Sequence, residues 1–159
     1  MENTELTQKD LLTDEQNPFF EYNKASPAQR FLNFLIDNVV IRIALAYVTG
    51  LAVGYILMAF LPEFVYSLSN NKSRLYLISV VIVFIDYILY YTLSEGLFKG
   101  RTIGKLITGS KAINENGREL SFKQAFLRSV CRLIPFEPLS GLGTPWHDTI
   151  TSTIVIKTR

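Results

Sequence analysis

Two long stretches that are almost free of charge constrain this 159-residue chain more than any other feature of its sequence. Residues 43–61 carry no charged side chain, and Asp86 is the only charged residue within 75–91. A helix needs about 20 mainly apolar residues to cross a bilayer core about 30 Å thick. A chain of this length is too short to bury two such segments in a soluble core. The sequence therefore predicts an α-helical membrane protein with transmembrane spans at about 38–61 and 75–95.

The basic residues are distributed unevenly around these spans and predict an orientation. The loop between the spans holds only Lys72 and Arg74, whereas ten lysines and arginines follow the second span. Because loops rich in Lys and Arg stay in the cytoplasm, we expect the C-terminal region there, and two spans return the N-terminus to the same side. The single cysteine, Cys131, excludes an intrachain disulfide and agrees with a reducing compartment.

The chain divides into a polar tail and one membrane domain. Residues 1–25 are polar and acidic and lack the features of a secretion signal, so they are expected to form a disordered cytoplasmic tail. The membrane domain is expected to cover 26–157. It shows no internal repeat.

Local signals define the ends of the two membrane helices. The first helix is predicted to begin at a capping box, Ser26 to Gln29, and to end before Pro62. The short loop that follows, 62–74, forces an antiparallel hairpin. Asn71 or Ser73 is expected to cap the second helix, which is predicted to run to about residue 97.

The C-terminal region predicts a small β-sheet. Residues 106–113 have the composition of a strand, and Asn116-Gly117 favours a type I′ turn into a short return strand. Residues 150–157 are rich in Thr, Ile and Val and are predicted to be a final strand that pairs with this β-hairpin.

A cytoplasmic amphipathic helix is predicted at about 121–134, opened by a second capping box. Arg128 and Arg132 lie four positions apart on its polar side. The opposite side is apolar and comprises Phe122, Ala125, Phe126, Val130 and Leu133. This pattern predicts a helix in the membrane interface whose arginines contact anionic headgroups.

Polar residues at the start of the first helix share one face. Arg30, Asn33 and Asp37 are spaced so that they lie within two turns of one another. They predict either a polar site for an ion or headgroup, or a salt-bridged anchor that sets the depth of the helix and packs the C-terminal region. The sequence leaves both readings open.

Asp86 is expected about 16 Å into the second span, level with Thr49 and Gly50. An ionised carboxylate at that depth is costly, so we expect it to be protonated, paired or facing a wet cavity, in a functional or oligomer-contact role. Gly50 and Gly54 form a small-xxx-small pair that would allow close approach of the second helix.

Two further charges, Arg42 and Glu95, lie at nearly the same predicted depth on the two spans. They are expected to pair across the hairpin, with a structural role.

The sequence predicts no enzyme. His147 is the only histidine, which argues against a multi-histidine metal site, and no nucleophile–base pair accompanies its neighbour Asp148. The segment from Gly100 to Lys105 is one residue short of a phosphate-binding loop and lacks its Ser or Thr. No catalytic residue, metal ligand or cofactor is therefore expected.

Taken together, these motifs resemble the RDD family of bacterial membrane proteins, over residues 26–157. The resemblance consists of an arginine and an aspartate in the first helix, a Gly-x-Thr-x-Gly-Lys segment after the second helix, an Asn-Gly turn before an arginine-bearing helix, and an aspartate before the last strand. The matching residues are Arg30, Asp37, Gly100, Thr102, Gly104, Lys105, Asn116, Gly117 and Asp148.

This chain departs from the family pattern in two places. The stretch after Arg132 is short, and Ser152-Thr153 replaces the usual Gly-Thr. The resemblance implies that Arg30, Asp37 and Asp148 are the signature residues, with Asp86 a rival for the second aspartate. It also implies a multi-pass protein of the bacterial inner membrane, and transport, including sodium/proton exchange, has been proposed for the family.

Two hypotheses for function follow. The first is a small transporter that couples cations and protons, with Asp86 or Asp37 as the protonatable group; two spans enclose no pathway, so it requires a homo-oligomer or a membrane partner. The second is a non-transport anchor or assembly module whose cytoplasmic face binds lipid or a partner protein. The expected partners are the bilayer and its anionic headgroups, and no nucleic acid.

Overall fold

The computed structural model describes residues 23–140, 143 and 145–158. Most of these residues are helical. In chain order the elements are α1 (Pro27–Val39), a π-helical segment (Val40–Leu45), α2 (Ala46–Phe60), α3 (Pro62–Ser69), α4 (Lys72–Leu97), α5 (Ile103–Thr108), β1 (Ser110–Asn114), α6 (Phe122–Cys131), α7 (Glu137–Ser140), α8 (Trp146–Ile150) and β2 (Thr153–Lys157).

The first long helix begins where the sequence predicted. The Ser26 side chain accepts a hydrogen bond from the Gln29 amide, and the Gln29 side chain accepts one from the Ser26 amide, so the capping box is confirmed. The helix continues without a break from Pro27 to Phe60. Its middle turn is π-helical, which the sequence did not predict.

The predicted loop between the long helices is itself mostly helical. Pro62 begins α3 because its fixed φ suits the first helical position, so the chain turns at Leu61 and forms another helix instead of a loop. Asn71 caps α4 as predicted: its side chain accepts a hydrogen bond from the Arg74 amide at 3.1 Å. The second long helix starts at Lys72 and ends at Leu97.

Both long helices are long and apolar enough to cross a membrane. They cover 34 and 26 residues, and they contain the predicted spans apart from Leu61, which follows the first helix. The predicted level of Asp86 is confirmed, because the Thr49 hydroxyl donates to its carboxylate at 2.7 Å. The predicted glycine contact is wrong: a Cβ placed on Gly50 or Gly54 would have no atom of the second long helix within 4 Å.

The small sheet pairs β1 with β2, antiparallel, with Ala112 opposite Val155. The predicted pairing of these two segments is confirmed. The predicted strand at 106–113 begins only at Ser110, because the Thr102 side chain caps the short helix α5 before it.

No return strand follows the Asn116-Gly117 turn, so that prediction is wrong. The N-terminal side of the chain lies along the other edge of the sheet, beside β2. Lys24 bridges Ile156, and the Ala25 amide donates to the Val155 carbonyl at 2.9 Å. Residues 23–25 therefore belong to the fold, and the rest of the predicted tail lies outside the described residues.

Candidate functional site

Asp37 lies at the centre of the contacts between the two long helices and α5. Its side chain is buried and accepts three hydrogen bonds: from the Tyr90 hydroxyl at 2.7 Å, the Thr102 hydroxyl at 2.7 Å and the Gly104 amide at 2.8 Å. Two of these donors lie at the start of α5: Thr102 is its N-cap and Gly104 is in its first turn. The carboxylate therefore sits at the N-terminus of that helix, where a negative charge is favoured.

This arrangement requires a glycine at position 104. A Cβ there would lie 2.5 Å from the Asn33 carbonyl oxygen and 3.0 Å from the Asp37 carboxylate. Because Gly104 has no side chain, α5 approaches α1 closely enough for its backbone amide to reach Asp37. The glycine of the Gly-Lys pair thus has a packing role.

Glu95, in the last turn of α4, accepts hydrogen bonds from three cations. Lys105 Nζ lies 2.8 Å from Oε1, Arg132 Nη2 lies 2.6 Å from Oε1, and Arg128 Nε lies 2.8 Å from Oε2. The carboxylate is completely buried. Contacts of this kind are stronger than neutral hydrogen bonds, and each is costly to break once its partners are buried.

Arg128 connects Glu95 to Asp148. Its Nη1 donates to Asp148 Oδ1 at 2.6 Å and also contacts the Thr153 hydroxyl. The other Asp148 oxygen pairs with Arg30 Nη1 at 2.5 Å. We call the resulting set the buried charge cluster; its members are Glu95, Asp148, Arg30, Lys105, Arg128 and Arg132.

The cluster corrects the prediction for Arg128 and Arg132. Both arginines are buried instead of extending outward from the helix: Arg128 is 0% and Arg132 is 9% exposed. The helix α6 packs on α4 with its polar side, because Glu95 lies there and a buried carboxylate needs counter-charges. Ala125, which the sequence grouped with the apolar side, is buried next to the arginines.

The apolar side of α6 is exposed instead. Phe122, Phe126, Leu127 and Val130 all lie on the surface. In α5 the buried residues are Gly104 and Lys105, while its apolar side chains face outward. The exposed apolar residues of these two helices and of α8 are Ile103, Leu106, Ile107, Phe122, Phe126, Leu127, Val130, Trp146 and Ile150. We call residues 98–158 the cap; the buried charge cluster lies in its interior, and its helices expose large apolar side chains.

The predicted pair between Arg42 and Glu95 is wrong. Glu95 is already fully occupied by Lys105, Arg128 and Arg132. Arg42 is exposed, lies in the π-helical segment, and has no ion-pair partner among the described residues. Nearly equal depth on two helices did not bring the two charges together, because α5 and α6 supply closer cations.

A further carboxylate, that of Glu137, lies at the edge of the cluster and contacts the His147 ring. Burial raises the pKa of Glu137 above its usual 4.5. Burial, and after it the positive charges of Arg132 and Arg128, lower the pKa of His147 well below 6.5. Both directions favour neutral side chains. Burial also lowers the pKa of Lys105 to about 8, although Glu95 opposes this effect.

The structure thus pairs two of the predicted signature residues, Arg30 and Asp148, and joins them through Arg128 to Glu95 and Arg132. The third, Asp37, has separate partners in Tyr90, Thr102 and Gly104. Asp86 lies apart with Thr49, and Arg42 is separate from both. Sequence reasoning missed the roles of Tyr90, Thr102 and Glu137. The Gly-x-Thr-x-Gly-Lys pattern was the available signal for Thr102. Within the described part of the chain no group of three or more His, Cys, Asp or Glu could hold a metal ion.

The fold and this site define a class of protein: a helical hairpin, apolar enough to cross a membrane, with a cap joined to it by buried charges. The model of the RDD family matches residues 24–157, nearly the whole chain, and the protein belongs to that family of membrane proteins. This confirms the resemblance seen in the sequence. Neither a curated protein nor a solved structure matches the chain.

Proposed function

We propose that this protein is a membrane-embedded binding module that engages lipid through its cap, and that it is neither a transporter nor an enzyme. The observation that carries this proposal is the orientation of the cap helices α5 and α6: Lys105, Arg128 and Arg132 point inward, while the large apolar side chains point outward. An exposed apolar surface of this kind is unfavourable in water and marks a membrane or partner contact. The excess of basic residues after α4 supports a position in the cytoplasmic leaflet of the bacterial inner membrane, with both termini in the cytoplasm.

The signature carboxylates support a structural role over cation binding. Asp37 accepts three hydrogen bonds and Glu95 contacts three cations. A transported cation would have to displace these donors and leave them unsatisfied in a buried site, at a large cost. In this proposal Arg30, Asp37, Glu95 and Asp148 hold the cap against the hairpin.

The position of the cap can be measured with Trp146, the only tryptophan in the chain. Its side chain is 45% exposed on α8. We expect lipids brominated near the headgroup end of the acyl chain to quench Trp146 fluorescence strongly, and aqueous iodide to quench it weakly. A control protein with Trp146→Phe and Asn116→Trp, at the exposed polar turn, should show the reverse. Strong iodide quenching of Trp146 would mean that the cap lies in water and would overturn the proposal.

A second candidate function is cation and proton transport by an oligomer, and Asp86 is the residue that favours it. This carboxylate is buried among apolar residues, and the Thr49 hydroxyl is its hydrogen-bond donor among the described residues. Its unoccupied oxygen is available to bind a proton or cation. Because two helices enclose no pathway, transport would need several copies or a membrane partner.

Proteoliposomes distinguish the two candidates. The module proposal expects no cation movement driven by a pH gradient beyond the leak of protein-free vesicles. It also expects Asp37→Asn to lower thermal stability, because one of the three donors then loses its acceptor. Flux that Asp86→Asn abolishes, without loss of folding, would establish the transporter instead.

A further inference from the structure

A laterally open groove of about 650 Å³ lies between the first helix, α4 and the segment after α6. Two arginines line it, and no acidic side chain does so among the described residues. Most of the remaining lining is apolar. The lining residues include Arg42, Arg132, Val80, Val83, Phe84 and Ile134.

Arg132 has one guanidinium nitrogen that could donate a hydrogen bond to a ligand. Its Nη2 is bound to Glu95, and its guanidinium lies 4.2 Å above the Tyr91 ring. Its Nη1 is buried and has no hydrogen-bond partner among the described residues. A buried, charged donor without an acceptor is costly, so this nitrogen indicates a missing acceptor.

Arg42 supplies a second positive charge at a suitable depth. It lies 18 positions before Phe60, a rise of about 27 Å along the helix. If Phe60 is at one boundary of a bilayer core about 30 Å thick, Arg42 is at the other boundary, level with the headgroups. Its side chain is exposed and has no ion-pair partner among the described residues.

The apolar wall of the groove has the length of one leaflet. On α4 it extends from Tyr76 to Tyr87, which is about 16 Å of helix. Half of a bilayer core is about 15 Å. Because Thr49 pairs with Asp86, Arg42 is level with about residue 93 of α4, and Val83 and Phe84 lie about 14–15 Å further along the helix axis. An acyl chain whose headgroup lies at Arg42 would therefore reach Val83 and Phe84 near its end.

We propose that this groove binds one anionic phospholipid, with the phosphodiester between Arg42 and the Nη1 of Arg132 and one acyl chain along α4. Arg42 has no ion-pair partner among the described residues, and the single charge of Glu95 is shared by three cations. This excess of positive charge favours a lipid of net negative charge over a zwitterionic one, and arginine is suited to phosphate oxygens. The inference rests on the proposed function, since the groove reaches a lipid only if the hairpin spans the membrane.

The protein is first delipidated in a nonionic detergent, lipid is then added, and native mass spectrometry counts the lipid molecules bound to each chain. We expect phosphatidylglycerol to saturate at one molecule per chain and to bind about tenfold more tightly than phosphatidylcholine, as the loss of a charge-assisted contact implies. Arg42→Gln should remove most of this preference. Arg118→Gln, which makes the same charge change on an exposed turn of the cap, should leave it intact.

The apolar half of the site has its own pair of variants. Val83→Trp fills the groove and should reduce phosphatidylglycerol occupancy several-fold, whereas Val81→Trp, on the exposed side of α4, should not. Inorganic phosphate and glycerophosphoglycerol should not compete, because neither has an acyl chain. Binding without saturation, equal effects of Arg42→Gln and Arg118→Gln, or competition by the soluble phosphates would overturn the proposed site.

Failure of the site and failure of the module function give different results. If the site is wrong but the function is right, lipid binding is unsaturable while Trp146 remains quenched by brominated lipid. If the function is wrong, Trp146 is quenched by iodide or Asp86-dependent flux appears.

Discussion

The two ends of the hairpin are built on different principles. At the end near Pro62, α2 buries none of its residues, and Gly50 and Gly54 have no neighbours near the position of a Cβ. At the cap end, α4 buries Tyr90, Tyr91, Thr92 and Glu95 within its last two turns. One end shows apolar side chains to its surroundings, and the other is held by buried hydrogen bonds and ion pairs.

This difference follows from the solvent in which such a protein lies. Lipid chains are as apolar as leucine, so there is no hydrophobic force that drives two apolar helices together. Polar contacts become stronger in a low-dielectric environment, provided that every member is satisfied. The cap end is therefore where the stability of the fold is concentrated, and substitutions there should be far more damaging than at the Pro62 end.

The largest effect is expected for Glu95→Gln. This change removes the shared counter-charge of three buried cations, and breaking a buried pair in this way costs about 3–5 kcal/mol. The measurement is the free energy of unfolding in mixed micelles, followed by circular dichroism as the denaturing detergent is titrated.

Glu119→Gln is the matched control for that variant. Glu119 pairs with Lys99 at 3.2 Å, but both side chains are largely exposed, so the loss should be at most about 1 kcal/mol. Equal losses in the two variants would show that the buried charge cluster does not stabilise the cap end.

A smaller effect is expected for Gly104→Ala. The added methyl would collide with the Asn33 backbone and push α5 away from Asp37, at a cost of about 1–3 kcal/mol. The same substitution at Gly54 meets nothing and should be neutral or stabilise by up to about 1 kcal/mol through helix propensity. Thermal unfolding of the two variants, side by side, measures the contrast. If Gly54→Ala is as damaging as Gly104→Ala, the Pro62 end has contacts with another copy or partner.

The smallest effect is a pH dependence from His147. Its pKa in the folded protein lies below the usual 6.5, so the unfolded chain takes up the proton first as the pH falls. Stability from the neutral imidazole is therefore present above pH 6.5 and is lost on acidification through that value. His147→Gln should flatten the melting temperature between pH 7.5 and 5.5.

Glu137 acts in the opposite direction, because its raised pKa adds stability as the pH falls towards the acidic end of the range. A Glu137→Gln background removes this contribution and isolates the imidazole. If His147→Gln leaves the pH dependence of the melting temperature unchanged in both backgrounds, His147 titrates alike in the folded and unfolded chains.

Much of the local structure could be read from the sequence, because its signals are local. The capping boxes at Ser26 and Ser121, the Asn71 cap and the pairing of the 150–157 segment depend on neighbouring residues or on composition. The errors came where distant parts of the chain compete. Glu95 pairs with cations on α5 and α6 and not with Arg42. The return strand expected beside β1 does not form, and residues 23–25 pair with β2 instead.

The sequence by itself determined the two apolar helices, the ends of most elements and the membership of the RDD family. Only the tertiary structure decided which way α6 faces and which cations surround Glu95. Periodicity shows which residues share a face of a helix, but not whether that face turns inward. In water the apolar face of such a helix would be buried. Beside a membrane the arginine face can be buried against a carboxylate such as Glu95 instead. The reason is that an unpaired charge is costlier in an apolar environment than an exposed apolar surface.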